Sequence, residues 1–381
     1  ILFPRDIRPD APSNLHDPNN AADYIIIAYD DFIEVLESLA SFRQSQGYMT
    51  KLIKAEDVYE EFSRGLFDPT AIRNFLFFAY HNWEIPPAYV LLVGDAFFDY
   101  KDHLLHQQDR YNIYIHHGQN KIPAHYTETY PHDNWYACLD FDDHSYYPDL
   151  ILSRICPHDI EKCASIVDKI ILYETEREYD DWHIELTLVA DNDQTDEPGS
   201  FTEDCEGKVN DYMPLGFRPH KIYMESMDWD ESWNDPEHLG NRKLYTRANL
   251  TPYLREHFDG AWVQFGGHGS YNVWCHEYLY VDFVVDPESP WQDWHHPEYH
   301  DFQLLTNNKR FPIVSMMSCN LSYFDHYVDS CGEKLLVPTN RGAIATFGST
   351  RLGRETEQDA YHRLLYEAFF PDRKLNDPCI T

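Results

Sequence analysis

The chain has 381 residues, 43% of them hydrophobic, which is enough for two domains around buried cores. Its 30 Lys and Arg stand against 65 Asp and Glu, a formal net charge of −35, so nucleic acid and anionic membrane surfaces are poor partners: a polyanion rewards the opposite sign. No apolar run of about 18 residues marks a membrane span, no signal peptide is present, and eight cysteines without a CxxC pair or regular spacing argue against a zinc ribbon or a disulfide framework.

Residues 1–22 read as an N-terminal extension. DYIIIAY at 23–29 is an apolar run of strand length, residues 32–46 carry a helical period closed by Gly47, and MTKLIKA at 49–55 reads as a second strand. Residues 70–81 place Ile72, Phe75, Leu76 and Ala79 on one helical face, and 89–93 and 149–155 read as further core strands. Between these strands, residues 101–147 are rich in His, Tyr and Asp and read as loop; adjacent His116 and His117 are a weak metal-ligand pattern, since neighbours on a loop are more often just exposed. After a helix at 159–174, the acidic stretch 176–181 reads as a boundary, giving sub-domains at 23–178 and 179–381. The alternation then resumes with a strand at 186–190, a helix running towards Met213 behind the capping-box pair Ser200 and Glu203, a strand at 220–224 and a helix at 247–258. Strands separated by helices predict an α/β protein with mostly parallel sheets flanked by helices.

Two later strands end on chemistry. AWVQF at 261–265 breaks into Gly266, Gly267, His268, Gly269 and Ser270, and FPIVSMMSC at 311–319 ends on the Cys319 thiol. Ligands bind outside the carboxyl ends of strands in open α/β sheets, so these strands side by side would bring imidazole and thiol into one cleft. A thiol needs a nearby base or cation to become a thiolate, and His268 supplies it; the N–H groups of Gly269 and Cys319 are candidate oxyanion donors. A lone strand-end Cys is ordinarily a small buried hydrophobe and a His after glycines a loop residue; it is the pairing that points to a site. Between them lies an aromatic, acidic insertion at 277–300 with Trp291 and Trp294, read as a loop in preference to a wall of the cleft.

GGHGS around His268, MSC at Cys319, SYFD at 322–325, GEKLL from Gly332 and RGAIATFGSTR at 341–351 resemble the gingipain-type cysteine peptidases, as do YVLLVGDAFFDY at 89–100, DNWYA at 133–137 and PDLILSRI from Pro148. The resemblance spans nearly the whole chain. It implies a caspase-like fold of two sub-domains side by side and a secreted or cell-surface cysteine endopeptidase, matured from a longer precursor, acting on protein or peptide substrates. It also implies that Asp193 steadies His268, that Asp204 lies at the base of the primary specificity pocket and favours Arg or Lys, and that Ca²⁺ binds as a structural ion. Asp95, Asp99, Asp140, Asp142 and Asp143 are the hard-oxygen candidates for that ion. A transpeptidase of the same family would share the dyad and differ only in its acceptor, and a non-catalytic surface binding protein would need neither residue. The departures from the family are Ser153 in place of Gly before Arg154, the separation of 51 residues between His268 and Cys319, and the early C-terminus.

Overall fold

Apolar runs of four to six residues become the strands of two parallel sheets, one in each of two compact units. The computed structural model describes residues 13–99, 120–139, 147–176, 180–192, 200–226, 242–283, 299–326 and 328–371. The described residues of Ile1–Asp95 and Asn120–Ile155 form one unit, and those of Ala96–Gln119 and Cys156–Thr381 the other.

In the first unit, β1 (Tyr24–Ala28), β2 (Thr50–Lys54), β3 (Tyr89–Val93) and β6 (Ile151–Ile155) form a parallel sheet in the order β2-β1-β3-β6. Ile25, Ile26 and Ile27 are fully buried, as a parallel strand covered on both faces requires. Three helices carry the crossovers: α1 (Ile33–Ser45), α2 (Ala55–Ser63) and α3 (Pro69–Asn82). α3 starts where it does because the Asp68 carboxylate accepts the Thr70 N–H at 2.9 Å and Pro69 occupies the first turn. α2 follows β2 without a break, so the apolar pattern at 49–55 hid its start. A short hairpin of β4 (Tyr126–Thr127) and β5 (Tyr130–Pro131) and the single turn α4 (Asn134–Ala137) precede β6. Ser153 sits inside β6, opposite Leu91, so the departure from the family pattern falls within a strand rather than a turn. Its neighbour Arg154 pairs with Asp133 and donates to the carbonyls of Gly94, Ile122 and Pro123, tying this loop to the end of the sheet.

The second unit opens with α5 (Ile160–Thr175), the helix that the sequence pattern placed before the acidic boundary. Lys169 on α5 is buried and donates to the carbonyls of Leu335 and Ala343, at 3.1 and 3.2 Å, and burial, with no carboxylate partner among the described residues, pushes its ammonium down to about 7. Five strands follow: β7 (Glu185–Ala190), β8 (Arg218–Tyr223), β9 (Trp262–Gly266), β14 (Ile313–Met317) and β15 (Ala345–Gly348), all parallel in the order β15-β14-β9-β7-β8. They alternate with α6 (Phe201–Asp211), α7 (Thr251–Glu256) behind a wide π turn, α8 (Cys331–Leu336) and α9 (Glu355–Phe369). Ser200 caps α6 by accepting the Glu203 N–H at 3.1 Å. On one face Phe265 stacks on Trp274 with centroids 4.6 Å apart; on the other Trp262 stacks on Tyr366 of α9 at 4.5 Å.

The segment after β9 corrects the loop reading of the insertion at its two described ends, 277–283 and 299–300. β10 (Gly269–Ser270), β11 (Val273–Trp274), β12 (Tyr280–Phe283) and β13 (Tyr299–His300) make an antiparallel sheet, and Leu279, Tyr280 and Val281 are fully buried in the core. Trp291 and Trp294 lie outside the described residues, as do His116 and His117. Among the described residues, no helix is long and apolar enough to cross a membrane.

Candidate active site

Three adjacent strands deliver three side chains to one end of the second sheet. β9 pairs with β14 so that Gly266 faces Met317, and with β7 so that Gly266 faces Ala190. Asp191 is the first residue past β7; His268 and Cys319 are each the second residue past their strands. The two loops touch: a Cβ on Gly269 would come within 2.6 Å of Ser318 Oγ, so the residue after the histidine packs on the residue before the cysteine. Gly267 is glycine for a similar reason, since a Cβ there would meet Asp191 Cβ at 2.3 Å.

Asp191 is fully buried, and its Oδ2 accepts both the His268 backbone N–H at 2.9 Å and Nδ1 at 3.0 Å. A carboxylate on Nδ1 holds the proton there and leaves Nε2 for exchange with a substrate. This hydrogen bond is the largest cause of the raised His268 pKa; burial opposes it, and the charges of Asp191, Glu277 and Glu355 add to it. Asp193, the residue expected to steady His268, lies outside the described residues; the carboxylate on the imidazole is Asp191. A signal for it was present, because Asp191 ends the apolar run LTLVA just as the histidine and cysteine follow theirs.

Cys319 differs in its surroundings from the buried cysteines. Cys163 and Cys205 are buried and their thiols are pushed up to about 12, and burial also raises Cys275 and Cys331. Cys319 is half-exposed, with Sγ 3.8 Å from the Gly353 carbonyl. Its backbone N–H has no protein acceptor among the described residues. Gly269 also keeps its N–H available. Cys275 N–H donates to the His268 carbonyl at 2.8 Å, which makes 268/275 the hydrogen-bonded pair of the hairpin, so the alternate pair Gly269 and Trp274 points its amides away from each other. The loop after Cys319 is braced by Asp325 and Arg351, paired through two bonds of 2.8 and 2.6 Å, with Asn320 N–H donating to the Arg351 carbonyl.

Beside Gly266 and Met317 is a cleft lined by Asp204 of α6 and by Glu355 and Asp359 of α9. Lys208, buried, pairs with Asp359 and donates to the Asp204 carbonyl, leaving the half-buried Asp204 carboxyl without a side-chain partner among the described residues. Burial raises the Asp204 pKa, partly offset by the Lys208 charge. α9 was not read from the sequence, and with it went half of this lining. Of the calcium candidates, Asp95 and Asp99 are buried carboxylates, a donor type that suits Ca²⁺, while Asp140, Asp142 and Asp143 lie outside the described residues.

The strand order and flanking helices are those of a caspase-like α/β fold, and residues 17–379 match the model of Peptidase family C25. The chain belongs to that family of cysteine peptidases. Its structure is similar to the complex of Porphyromonas gingivalis RgpB pro- and mature domains, with a TM-score of 0.64 and 18% identity over 90% of this chain and 67% of that one. It is also similar to the Arg-specific cysteine proteinase gingipain R, with a TM-score of 0.65 and 18% identity over 93% and 68% of the two chains. No curated protein sequence matches the chain.

The Asp191 contact gives a signed expectation. Because the folded-state pKa of His268 is raised, its protonation stabilises the fold fully below the unfolded value near 6.5, and that stability is lost as pH rises through the folded pKa. Asp191→Asn should therefore lower the His268 midpoint in an imidazole NMR titration and remove this pH-dependent stability; an unmoved midpoint would refute the contact.

Proposed function

We propose that the protein is a secreted or cell-surface cysteine endopeptidase in which Cys319 attacks the peptide carbonyl and His268 protonates the leaving amine. The observation that carries this reading is the register of β7, β9 and β14, which sets Asp191, His268 and Cys319 on neighbouring strand ends with the last two loops in contact. In the resting pair the thiol proton resides on the imidazole, kept there by Asp191. Attack forms a tetrahedral oxyanion that the N–H groups of Gly269 and Cys319 receive; the imidazolium then gives its Nε2 proton to the departing amine, leaving an acyl-enzyme. His268 next draws a proton from water as it attacks the thioester, which releases the acid and restores the thiolate and imidazolium. Cys319→Ala should abolish peptide turnover with an unchanged circular dichroism spectrum, whereas a small replacement of buried Cys331 should leave turnover standing. Turnover retained by Cys319→Ala would reject the assignment, and a product heavier by an added amine would reassign the protein as a transpeptidase.

For specificity, the cleft next to the dyad supports recognition of a basic residue before the cut. A guanidinium or ammonium entering it meets Asp204, whose carboxylate has no side-chain partner of its own among the described residues, and Glu355, which also acts on the His268 charge. The position of Asp204 in the first turn of α6 also suits the helix dipole, but the Ser200 cap does not need it. In a peptide library Arg or Lys should dominate that position. Asp204→Ala should cut kcat/KM for basic peptides by about 10- to 100-fold, the worth of a charged hydrogen bond of about 1.5–3 kcal/mol, while Cys319 still reacts with an unselective electrophile. Dominant cleavage after apolar or acidic residues in the unmodified protein would contradict it.

Structural Ca²⁺ bound through carboxylates that include Asp95 or Asp99 completes the proposal. Millimolar Ca²⁺ should raise the thermal midpoint relative to chelator, by the ordinary linkage of a ligand that binds only the folded state, and an unmoved midpoint counts against it.

A further inference from the structure

The tight turn that follows β11 carries a carboxyl group that the proposed mechanism does not use. Cys275 and Tyr278 hold left-handed backbone, with φ of 55° and 61°, and the Cys275 N–H is hooked to the His268 carbonyl. This turn carries Glu277 into the protein, where it is fully buried and its carboxyl oxygens find, among the described residues, no hydrogen-bond partner outside the turn itself. Its carboxyl, the Asp191 carboxylate and the Cys275 thiol offer atoms that all lie within 4.8 Å of one another. Buried Arg242 is the cation beside it among the described residues, with Nη1 3.8 Å away, an ion-pair distance rather than a hydrogen bond.

Three acidic groups in one buried space cannot all carry charge. Asp191 accepts from His268 twice and from the Asn192 N–H once, at 2.9 Å. The Cys275 thiol is held protonated by burial. Glu277 is left to carry the variable proton: burial first, and then the Asp191 charge, push its carboxyl up to about 7, with its own backbone N–H, Arg242 and the Cys275 thiol pulling the other way. A metal ion is the less economical filling, because Oδ2 of Asp191 is already committed to His268 and Arg242 already supplies positive charge.

We propose that Glu277 is a positioning residue of the dyad: by holding or releasing a proton beside Asp191, it sets the pH range over which His268 remains an imidazolium. At lower pH Glu277 is neutral and Asp191, with the charge of Glu355, supports the histidine, while His276, its ring 5.0 Å from that of His268, carries no carboxylate to the site. As pH rises Glu277 ionises, and its added negative charge retains the His268 proton that the leaving amine requires. The result is a peptidase whose alkaline limit lies higher than one buried carboxylate would place it. This rests on the dyad reading above, and its test does not depend on turnover.

The experiment is a titration of the His268 imidazole by ¹⁵N NMR in the histidine-labelled full chain, with the resonance assigned by its loss in His268→Gln. In Glu277→Gln the midpoint should fall by about one pH unit, the effect of removing one nearby charge. The alkaline limb of kcat/KM should move down with it. An unmoved midpoint overturns the role of Glu277 even if the protein is an active peptidase, and a moved midpoint with an unmoved limb overturns its part in catalysis. A moved midpoint in a protein with no turnover still supports the Glu277 coupling and strikes only at the peptidase reading. If the variant fails to fold, the unmodified protein decides: two inflections in the His268 curve support the coupling and a single one overturns it. Zinc retained stoichiometrically by the native protein, with Cys275 and Glu277 needed to hold it, also overturns it.

Discussion

The pairing of Gly266 with Ala190 on one side and with Met317 on the other is the constraint on which the site depends. A parallel ladder advances both strands in one direction, so residues just beyond register partners emerge at the same edge of the sheet. Sliding β14 by one residue would turn Val314 and Met316 to the opposite face, which is also buried and where Ser315 accepts from Trp262 at 2.8 Å and meets His362 at 3.0 Å, so both faces would lose their packing. The core therefore enforces the alignment of Asp191, His268 and Cys319. The geometry of the candidate site is a by-product of hydrophobic register rather than of loop conformation alone.

Around that edge the protein sorts its large acidic excess by burial. Most carboxylates face solvent, where charge costs little, but Asp191, Glu277, Asp301 and Asp325 are withdrawn from it. Each meets the cost differently. Asp325 takes a two-bond pair with Arg351, and Asp301 takes Arg247 and Arg255. Asp191 takes the histidine, and Glu277 is left to do so with a proton. The cleft beside the candidate site follows the same logic: Lys208 pairs with Asp359, and the Asp204 carboxyl has no side-chain partner among the described residues.

Much of the framework was legible because it is local. Strands β1, β3, β7, β9 and β14 are apolar runs bounded by turn residues, and α3, α5 and α6 begin behind capping residues Asp68, Asp159 and Ser200. What escaped has a physical reason in each case. α2 begins inside a pattern that also suits a strand, so nothing marks the change of period. The short antiparallel strands β10 to β13 are two to four residues long, too brief for alternation to register, and they are stabilised by packing of Trp274 and Tyr280 against the core. α9 has no side-chain cap and gains its stability from Tyr366 and Leu365 against Trp262 and Met317.

The sequence by itself determined that two apolar strands end on His268 and Cys319, and the resemblance carried by their flanking motifs named the family. It also determined that five-residue strands alternate with helices, because hydrophobic period is written along the chain. Only the tertiary structure decided that β7 lies on the other side of β9 and so brings Asp191, 77 residues away, onto His268 Nδ1. It alone placed Glu277 beside that carboxylate and α9 along the cleft. Those are contacts between residues far apart in sequence, fixed by strand order and by the packing of helices on the sheet, and no local pattern of residues encodes them.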